Sequence, residues 1–148
     1  MMRTVCKSKI HGAWVTEANL NYVGSLTIDS TLMKAANIAT YEWLHVVNVT
    51  TGARFQTYAI AGEAGSGIIA LNGAAARLGF AGDKVIIMCS ASVTEEELAG
   101  FHPHLVFVDE KNHIINPSIG GREWDLAALE DIGVETEMND AIRESSKK

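Results

Sequence analysis

The chain has 148 residues, a hydrophobic fraction of 47% and a formal net charge of -6. This length suits one domain with a substantial core, and this composition excludes general disorder. No apolar run approaches the roughly 18 residues of a membrane span, and the acidic balance argues against broad nucleic-acid binding, which needs a basic face. We therefore expect a globular, cytoplasmic protein in which Cys6 and Cys89 are free thiols in a reducing compartment.

Short apolar segments separated by turn residues fill the first part of the chain and predict β-strands. A turn at His11-Gly12 separates the first two strands, and a glycine-rich turn over 62–67 precedes the sixth. About seven strands with only short helices between them predict a mainly β fold, a compact barrel. Parallel βαβ winding would need longer helices. The predicted strands are 3–9, 13–17, 25–28, 43–49, 54–61, 68–71 and 84–91.

Two short helices are expected within this barrel. Asp29 is a good N-cap for a helix over 30–36, and Asn37 can close that helix in a left-handed conformation. Asn72 is expected to cap the second helix, over 73–78. Helices this short do not alter the prediction of a β-barrel.

The chain changes character after the barrel strands. Thr94 and Glu97 form a capping-box pattern, which predicts another short helix. Residues 105–108 are predicted to form one more strand, at an edge of the sheet.

A helix is predicted from Arg122 onward, and the polar tail from about residue 135 is expected to be flexible. We therefore divide the chain into a barrel domain, 1–103, and a C-terminal extension, 104–148. The apolar residues of the predicted C-terminal helix are Trp124, Leu126 and Leu129.

Arg54, Thr57 and Tyr58 stand on one predicted strand. Because side chains alternate along a strand, Arg54 and Tyr58 share one face and Thr57 lies on the other. An arginine can bind a carboxylate bidentately, and a tyrosine beside it can donate a proton. Lys9 can add a second positive charge. The alternative is a surface arginine beside a half-buried tyrosine, with Lys9 a solvated strand residue.

The segment from Asn72 to Ala76 consists of an asparagine, a glycine and three alanines. Small residues at a helix start let a ligand approach the backbone, whose free N–H groups bind anions; a tightly packed helix start is the equal alternative. The glycine-rich turn carries no phosphate-loop lysine, which argues against a nucleotide site. His102 and His104 have no further ligand cluster at suitable spacing, so no metal site is expected.

The bond between Gly24 and Ser25 is a candidate for covalent chemistry. The Ser25 hydroxyl can attack the Gly24 carbonyl and shift the acyl group from nitrogen to oxygen. The resulting ester can eliminate to dehydroalanine, which hydrolyses to a pyruvoyl group. A glycine before the serine suits a strained backbone, although most Gly-Ser pairs are ordinary turns.

One set of residues between Met1 and about Ser92 matches a known family in order and spacing. Its members are Arg3-Thr4, Lys9, His11, Val15-Thr16, Tyr22, Gly24-Ser25, Ile28-Asp29, Asn48-Val49-Thr50, Gly52, Arg54, Thr57-Tyr58-Ala59-Ile60 and Asn72-Gly73-Ala74-Ala75-Ala76. They resemble the pyruvoyl-dependent aspartate 1-decarboxylases, which make β-alanine for pantothenate. The resemblance implies a double-psi β-barrel and a homotetramer with active sites between neighbouring subunits.

The resemblance also implies roles for individual residues. Ser25 becomes the pyruvoyl group when the Gly24–Ser25 bond is cut, and the substrate amine forms a Schiff base with that group. Arg54 holds a substrate carboxylate with Lys9 nearby, and Tyr58 returns a proton after CO2 leaves. No metal or pyridoxal phosphate is implied. The other residues that position the cleavage site or the substrate are Thr57, Asn72, Gly73, Ala74 and Ala75.

The implied substrate is L-aspartate, with no nucleic acid or membrane as partner, and maturation by the chain alone or with a maturation factor stays open. Val47 stands where many members carry tryptophan, which leaves glutamate as an alternative substrate. Ala64 stands where arginine is common, and the C-terminal part is longer than in compact members. A barrel that never matures and only binds a ligand is an alternative from a different functional class.

Overall fold

A computed structural model describes residues 1–118 of the chain, with side chains up to residue 115. Nine strands, two α-helices and one 3-10 helix lie within these residues. The helix predicted from Arg122 and the tail predicted from residue 135 lie outside the described residues. The strands are β1 (Met2–Trp14), β2 (Glu17–Asn19), β3 (Ser25–Asp29), β4 (Trp43–Asn48), β5 (Arg54–Gly62), β6 (Ile69–Asn72), β7 (Lys84–Thr94), β8 (His104–Val108) and β9 (Ile114–Ser118). The helices are α1 (Ser30–Ala35), α2 (Glu95–Leu98) and the 3-10 helix Gly73–Arg77.

These strands form one mixed sheet in the order β2-β6-β3-β5-β4-β7-β1-β8-β9. β3 runs parallel to β5, β2 to β6 and β1 to β8, whereas the other neighbouring pairs are antiparallel. The predicted mainly β class is confirmed, and the sheet is consistent with a double-psi β-barrel. Within residues 1–118, no helix is long and apolar enough to cross a membrane.

The core is built from the inward faces of the strands. On β7, the buried residues Val85, Ile87 and Cys89 alternate with half-buried ones. Leu26 and Ile28 of β3 are fully buried in the same core. Burying one such aliphatic side chain contributes about 1.5–3 kcal/mol relative to leaving it exposed. This alternation therefore fixes which face of each strand is left for polar residues.

The first strand is continuous, so the turn predicted at His11-Gly12 is wrong. The pairing of β1 with β7 shifts register between Ile10 and Ala13, which is the mark of a β-bulge. Gly12 lies in this bulge with φ of 73°, a conformation that glycine adopts without the steric cost a Cβ would bring. The glycine that predicted a chain reversal therefore bends a strand instead.

Two predicted helix starts are confirmed. The Asp29 carboxylate accepts a hydrogen bond from the Thr31 N–H at the start of α1. At α2, the Thr94 hydroxyl accepts from the Glu97 N–H at 3.2 Å, and the Glu97 carboxylate accepts from the Thr94 N–H at 2.8 Å. Both hydrogen bonds of this capping box are thus present.

The strand predicted at 105–108 is present as β8, but it is not at an edge. It pairs with β1 on one side and with β9 on the other. Strand β9 was not predicted, because its sequence, IINPS, lacks the apolar/polar alternation of a strand and contains a proline. The buried Asn112 holds the turn before β9, with φ of 60°, and its amide donates to the carbonyls of Trp14 at 2.8 Å and Gly67 at 2.7 Å. The domain boundary at residue 103 stays a prediction.

Asp29 is a carboxylate, 2% exposed, that joins two connections of the fold. It accepts hydrogen bonds from the N–H groups of Thr31 at 2.8 Å, Gly65 at 3.0 Å and Gly67 at 2.8 Å. Burial alone would raise the pKa of this carboxyl, but the backbone donors, led by Gly67, outweigh burial and lower the pKa. One charged group therefore fixes both the start of α1 and the glycine-rich turn.

Replacing Asp29 by asparagine is expected to lower the free energy of unfolding by about 2–3 kcal/mol, because an amide NH2 would then face a backbone N–H. Since the pKa of Asp29 is lowered on folding, its contribution exists above the unfolded-state pKa of about 3.9 and disappears as pH falls through the folded value. Urea unfolding between pH 2 and pH 7 measures both effects.

The matched control is Asp109→Asn, which removes an exposed carboxylate that also accepts from two backbone N–H groups. Its loss of stability should be clearly smaller. Equal losses in the two variants would contradict the role given to Asp29.

Candidate active site

Ser25 lies at the start of β3, between β6 on one side and β5 on the other. It pairs directly with Asn72 of β6. In the parallel ladder with β5, Leu26 pairs with Ala59, which places the preceding residues, Ser25 and Tyr58, at the same level. The sheet therefore brings Ser25, Asn72 and Tyr58 side by side, although they are far apart in sequence.

The backbone of Ser25 is unusual. Its φ is 152°, whereas an L-residue normally has a negative φ. The residue is only 2% exposed. Sparsely populated backbone conformations cost about 1–3 kcal/mol and persist where the surrounding structure enforces them. The strain predicted for the Gly24–Ser25 link is thus located at Ser25.

Asn72 directs its side chain to this serine. Its amide nitrogen donates to the Ser25 hydroxyl at 3.3 Å and to the Thr27 hydroxyl at 2.8 Å. The prediction that the Asn72 side chain caps the following helix is wrong, because this side chain makes no hydrogen bond to that helix. The reason is the pairing of β3 with β6, because it puts two hydroxyl groups within reach of the amide.

Gly73 lies directly against the backbone of Gly24, which precedes Ser25. Its φ is 60°, and a Cβ built on it would lie 2.8 Å from the Cα of Gly24 and 3.1 Å from the carbonyl oxygen of Tyr22. Real Cβ atoms essentially never come within 3.0 Å of such an atom, so the contact with Gly24 leaves no room for one. The small residues after Asn72 therefore serve a close approach of two chain segments, with Ala75 and Ala76 buried and Ala74 exposed.

β5 carries the other predicted site residues on two faces. Thr57 is 9% exposed and lies on the inner face with Ala59, whereas Arg54 and Tyr58 lie on the outer face. The predicted separation of Thr57 from the other two is confirmed. The Tyr58 ring is contacted by the Trp43 ring edge-on, with centroids 6.1 Å apart, and by the Tyr41 ring at 6.3 Å.

Arg54 lines a groove of about 460 Å³. Within the described residues, no carboxylate lies at ion-pair distance from its guanidinium, and no other lysine, arginine, aspartate or glutamate lines the groove. A positive charge over a largely apolar surface suits a small anion. Neighbouring groove residues are Val5, Val47, Phe55, Met88, His45 and Gln56.

Lys9 lies on β1, which is separated from β5 by β7 and β4. Burial lowers the pKa of this amine, and Cys6 partly opposes that effect. Lys9 does not line the Arg54 groove of its own chain. Its expected place beside Arg54 stays a prediction.

His11, next but one along β1, is a group whose chemistry the residue pattern alone did not single out. Its Nδ1 atom is buried, with no hydrogen-bond partner among the described residues. Burial, followed by the charges of Lys9 and Lys84, lowers the pKa of the ring. Its ring packs against Phe107 with centroids 5.7 Å apart. Sequence patterns could not identify His11, because its burial near two cations arises only when the chain folds.

No group of three or more metal-ligating side chains occurs within the described part of the chain. The described features therefore define a small mainly β protein built around a strained, buried serine and a separate arginine groove.

The sequence profile of the aspartate decarboxylase family matches residues 1–115. The chain belongs to this family, whose members are carboxy-lyases. A protein of Clostridium acetobutylicum named aspartate 1-decarboxylase is 60% identical over 116 residues, which cover 78% of this chain and 91% of that protein.

Two further relatives carry the same name. The protein of Syntrophobacter fumaroxidans is 57% identical over 119 residues, covering 80% of this chain and 96% of the relative. The protein of Caldicellulosiruptor bescii is 58% identical over 118 residues, covering 80% of this chain and 92% of the relative. The likeness thus extends over most of each relative.

Replacing Gly73 by alanine is expected to cost clearly more than the strain of a positive φ alone. The matched control is Gly52→Ala, because Gly52 also has a positive φ, of 81°, but no atom of the described residues lies within 4 Å of where its Cβ would be. Both variants should lose about 1 kcal/mol for the backbone conformation, and Gly73→Ala should lose a further 1–3 kcal/mol, roughly, for the contact with Gly24. Equal midpoints in urea unfolding would refute the close approach.

Proposed function

We propose that the chain cuts its own Gly24–Ser25 bond and then converts L-aspartate to β-alanine and CO2. The observation that carries this proposal is the state of Ser25, which is buried, has φ of 152° and has its hydroxyl within hydrogen-bond distance of the Asn72 amide. An ordinary turn serine would be exposed and relaxed. The membership of the aspartate decarboxylase family supports the reaction type.

The cleavage is an internal acyl transfer followed by elimination. The Ser25 Oγ attacks the Gly24 carbonyl carbon, and the C–N bond breaks as the nitrogen takes the hydroxyl proton. The Cβ–Oγ bond of Ser25 then breaks as the Ser25 Cα loses its proton, so that Gly24 leaves as a carboxylate and dehydroalanine remains. Water replaces the nitrogen, which departs as ammonia, and the new chain end is a pyruvoyl group. One water is consumed in all, and no oxidant is needed.

The surrounding residues suit these steps. Gly24 has no Cβ, so the approach of a nucleophile to its carbonyl is less hindered. The Asn72 amide holds the hydroxyl in place, and the Gly73 contact fixes the backbone of Gly24 from the other side. Relief of backbone strain at Ser25 on bond breaking would favour cleavage. Thr57, on the adjacent strand, is proposed to help position the bond that is cut.

The pyruvoyl group supplies a sink for the electron pair that departing CO2 leaves behind, as pyridoxal phosphate does in other enzymes. The residues present fit such a group, since its precursor serine is buried beside an amide donor and a small-residue helix start. The backbone of Gly73, Ala74 and Ala75 is proposed to contact the substrate, because no large side chain there blocks the N–H groups.

Arg54 is proposed to bind the carboxylate that the product keeps. Charge-assisted hydrogen bonds stabilise a carboxylate, so one held by a guanidinium would lose CO2 less readily. Tyr58, level with Ser25, is proposed to deliver a proton to the carbon that loses CO2. Lys9 would add positive charge to the site from a neighbouring copy, in a homotetramer with active sites between subunits.

Replacing Ser25 by alanine should leave an intact, inactive chain, because no hydroxyl remains to attack Gly24. An intact mass spectrum of the denatured wild-type protein should show two fragments, 1–24 and 25–148, and that of the variant one full-length species. The sequence offers a control in the second Gly-Ser bond, Gly65-Ser66. Ser66→Ala should be cleaved like the wild type.

Cleavage or activity in Ser25→Ala would overturn the mechanism. An uncleaved wild type that stays uncleaved on gentle heating, alone and in cell extract, would favour a barrel that only binds a ligand. Cleavage only in cell extract would assign maturation to a further factor.

Replacing Tyr58 by phenylalanine should lower kcat about 100-fold or more, since general acid catalysis contributes on that scale, while cleavage and stability are retained. Tyr41→Phe is the control, because Tyr41 contacts the Tyr58 ring but its own hydroxyl is given no role. Product formation by the processed proteins measures both. An unchanged kcat in Tyr58→Phe would remove Tyr58 as the proton donor.

A further inference from the structure

We propose that Gln56, oriented by His45, is a specificity-determining residue that fixes where the substrate carboxylate lies between Arg54 and Tyr58. This inference rests on the proposed function and adds to it a reason why a short dicarboxylic amino acid is preferred. It concerns two residues that neither the sequence pattern nor the family resemblance assigned to the site.

The outer faces of β4 and β5 form a ladder of three side-chain pairs. Val47 pairs with Arg54, His45 with Gln56, and Trp43 with Tyr58. The same alternation leaves Arg54, Gln56 and Tyr58 on the outer face of β5. Gln56 is thus the middle side chain between the proposed carboxylate binder and the proposed proton donor.

The spacing makes this middle position matter. A strand rises about 3.3 Å per residue, so the Cα atoms of Arg54 and Tyr58 are about 13 Å apart with Gln56 halfway. Their long side chains can converge on a small molecule lying above Gln56. A substrate held at one end by Arg54 and protonated near the other end by Tyr58 therefore passes over the Gln56 amide.

The Gln56 side chain is exposed, and a single contact orients its amide. Its nitrogen lies 3.3 Å from Nδ1 of His45. Because an amide nitrogen only donates, Nδ1 is the acceptor in this arrangement. No other hydrogen bond to the Gln56 side chain occurs within the described residues. One N–H is therefore left to donate to an anion in the groove that Arg54 and Gln56 share.

A third hydrogen bond beside the guanidinium fixes the carboxylate in one position along the strand. Glutamate is one methylene longer than aspartate. With its side-chain carboxylate in that position, its reacting carbon would be displaced relative to Tyr58, and a misplacement near 1 Å can cost about 100-fold in rate. Gln56 therefore sets a length limit that Arg54 alone, a long side chain with several rotatable bonds, would not impose.

The test compares processed wild type with Gln56→Met, which keeps the length of the side chain and removes its hydrogen bonding. KM for aspartate should rise about tenfold, in line with loss of a hydrogen bond to a charged group, while kcat changes less than about twofold. The preference for aspartate over glutamate, as the ratio of kcat/KM values, should fall. An unchanged KM and an unchanged ratio in an active Gln56→Met enzyme would overturn the inference.

His45→Phe tests the orienting role, because phenylalanine keeps a ring but offers no acceptor. KM should rise less than in Gln56→Met. KM of the double variant should not exceed that of Gln56→Met alone, because both changes remove the same contact between His45 and Gln56. His113→Phe, an exposed histidine outside the groove, is the matched control and should behave as wild type. Fully additive effects would overturn the role of His45.

A binding measurement separates this inference from the proposed function. Full-length Ser25→Ala cannot mature, so titration with succinate and with glutarate, followed by NMR, reports the groove without turnover. Succinate should bind more tightly than glutarate, and adding Gln56→Met should weaken succinate binding about tenfold and remove the preference. An inactive but cleaved wild type that retains this pattern would overturn only the proposed reaction. Equal binding of both acids that Gln56→Met does not change would overturn only the role of Gln56.

Discussion

The contact between Gly73 and Gly24 is the constraint on which the candidate site depends. Two backbone segments meet there at a distance that excludes any Cβ on Gly73. The contact is possible because β3 and β6 are paired, with Ser25 opposite Asn72. The same pairing delivers the Asn72 amide to the serine hydroxyl. Backbone strain, hydroxyl orientation and the small-residue helix start are thus consequences of one strand pairing.

β5 connects this serine to the arginine groove. Its inner face contributes Thr57 and Ala59 to the interior, and its outer face presents Arg54, Gln56 and Tyr58. Because β5 lies between β3 and β4, one strand adjoins the candidate cleavage site on one side and the His45 edge of the groove on the other. One strand therefore adjoins both parts of the candidate site. Buried polar residues such as Asp29 and Asn112 hold the surrounding turns.

The sequence was sufficient for most of the elements and for the residue types of the site. Alternating apolar residues predicted the strands because each strand buries one face, and local hydrogen bonding predicted the caps at Asp29 and Thr94. The placement of Arg54 and Tyr58 on one face followed from strand periodicity alone. The family resemblance pointed to Ser25. The Gly-Ser dipeptide alone did not, because the sequence contains a second one at Gly65-Ser66.

Tertiary structure decided everything that depends on partners distant in sequence. Gly12 looked like a turn and is a bulge, because its conformation is set by pairing with β7. Asn72 looked like a helix cap and instead binds hydroxyl groups on β3. Strand β9, the burial of His11 and the contact of Gln56 with His45 had no local signal. Local patterns determine what each segment of this protein can form, whereas long-range pairing determines which neighbour each polar group meets, and the chemistry of the site depends on those neighbours.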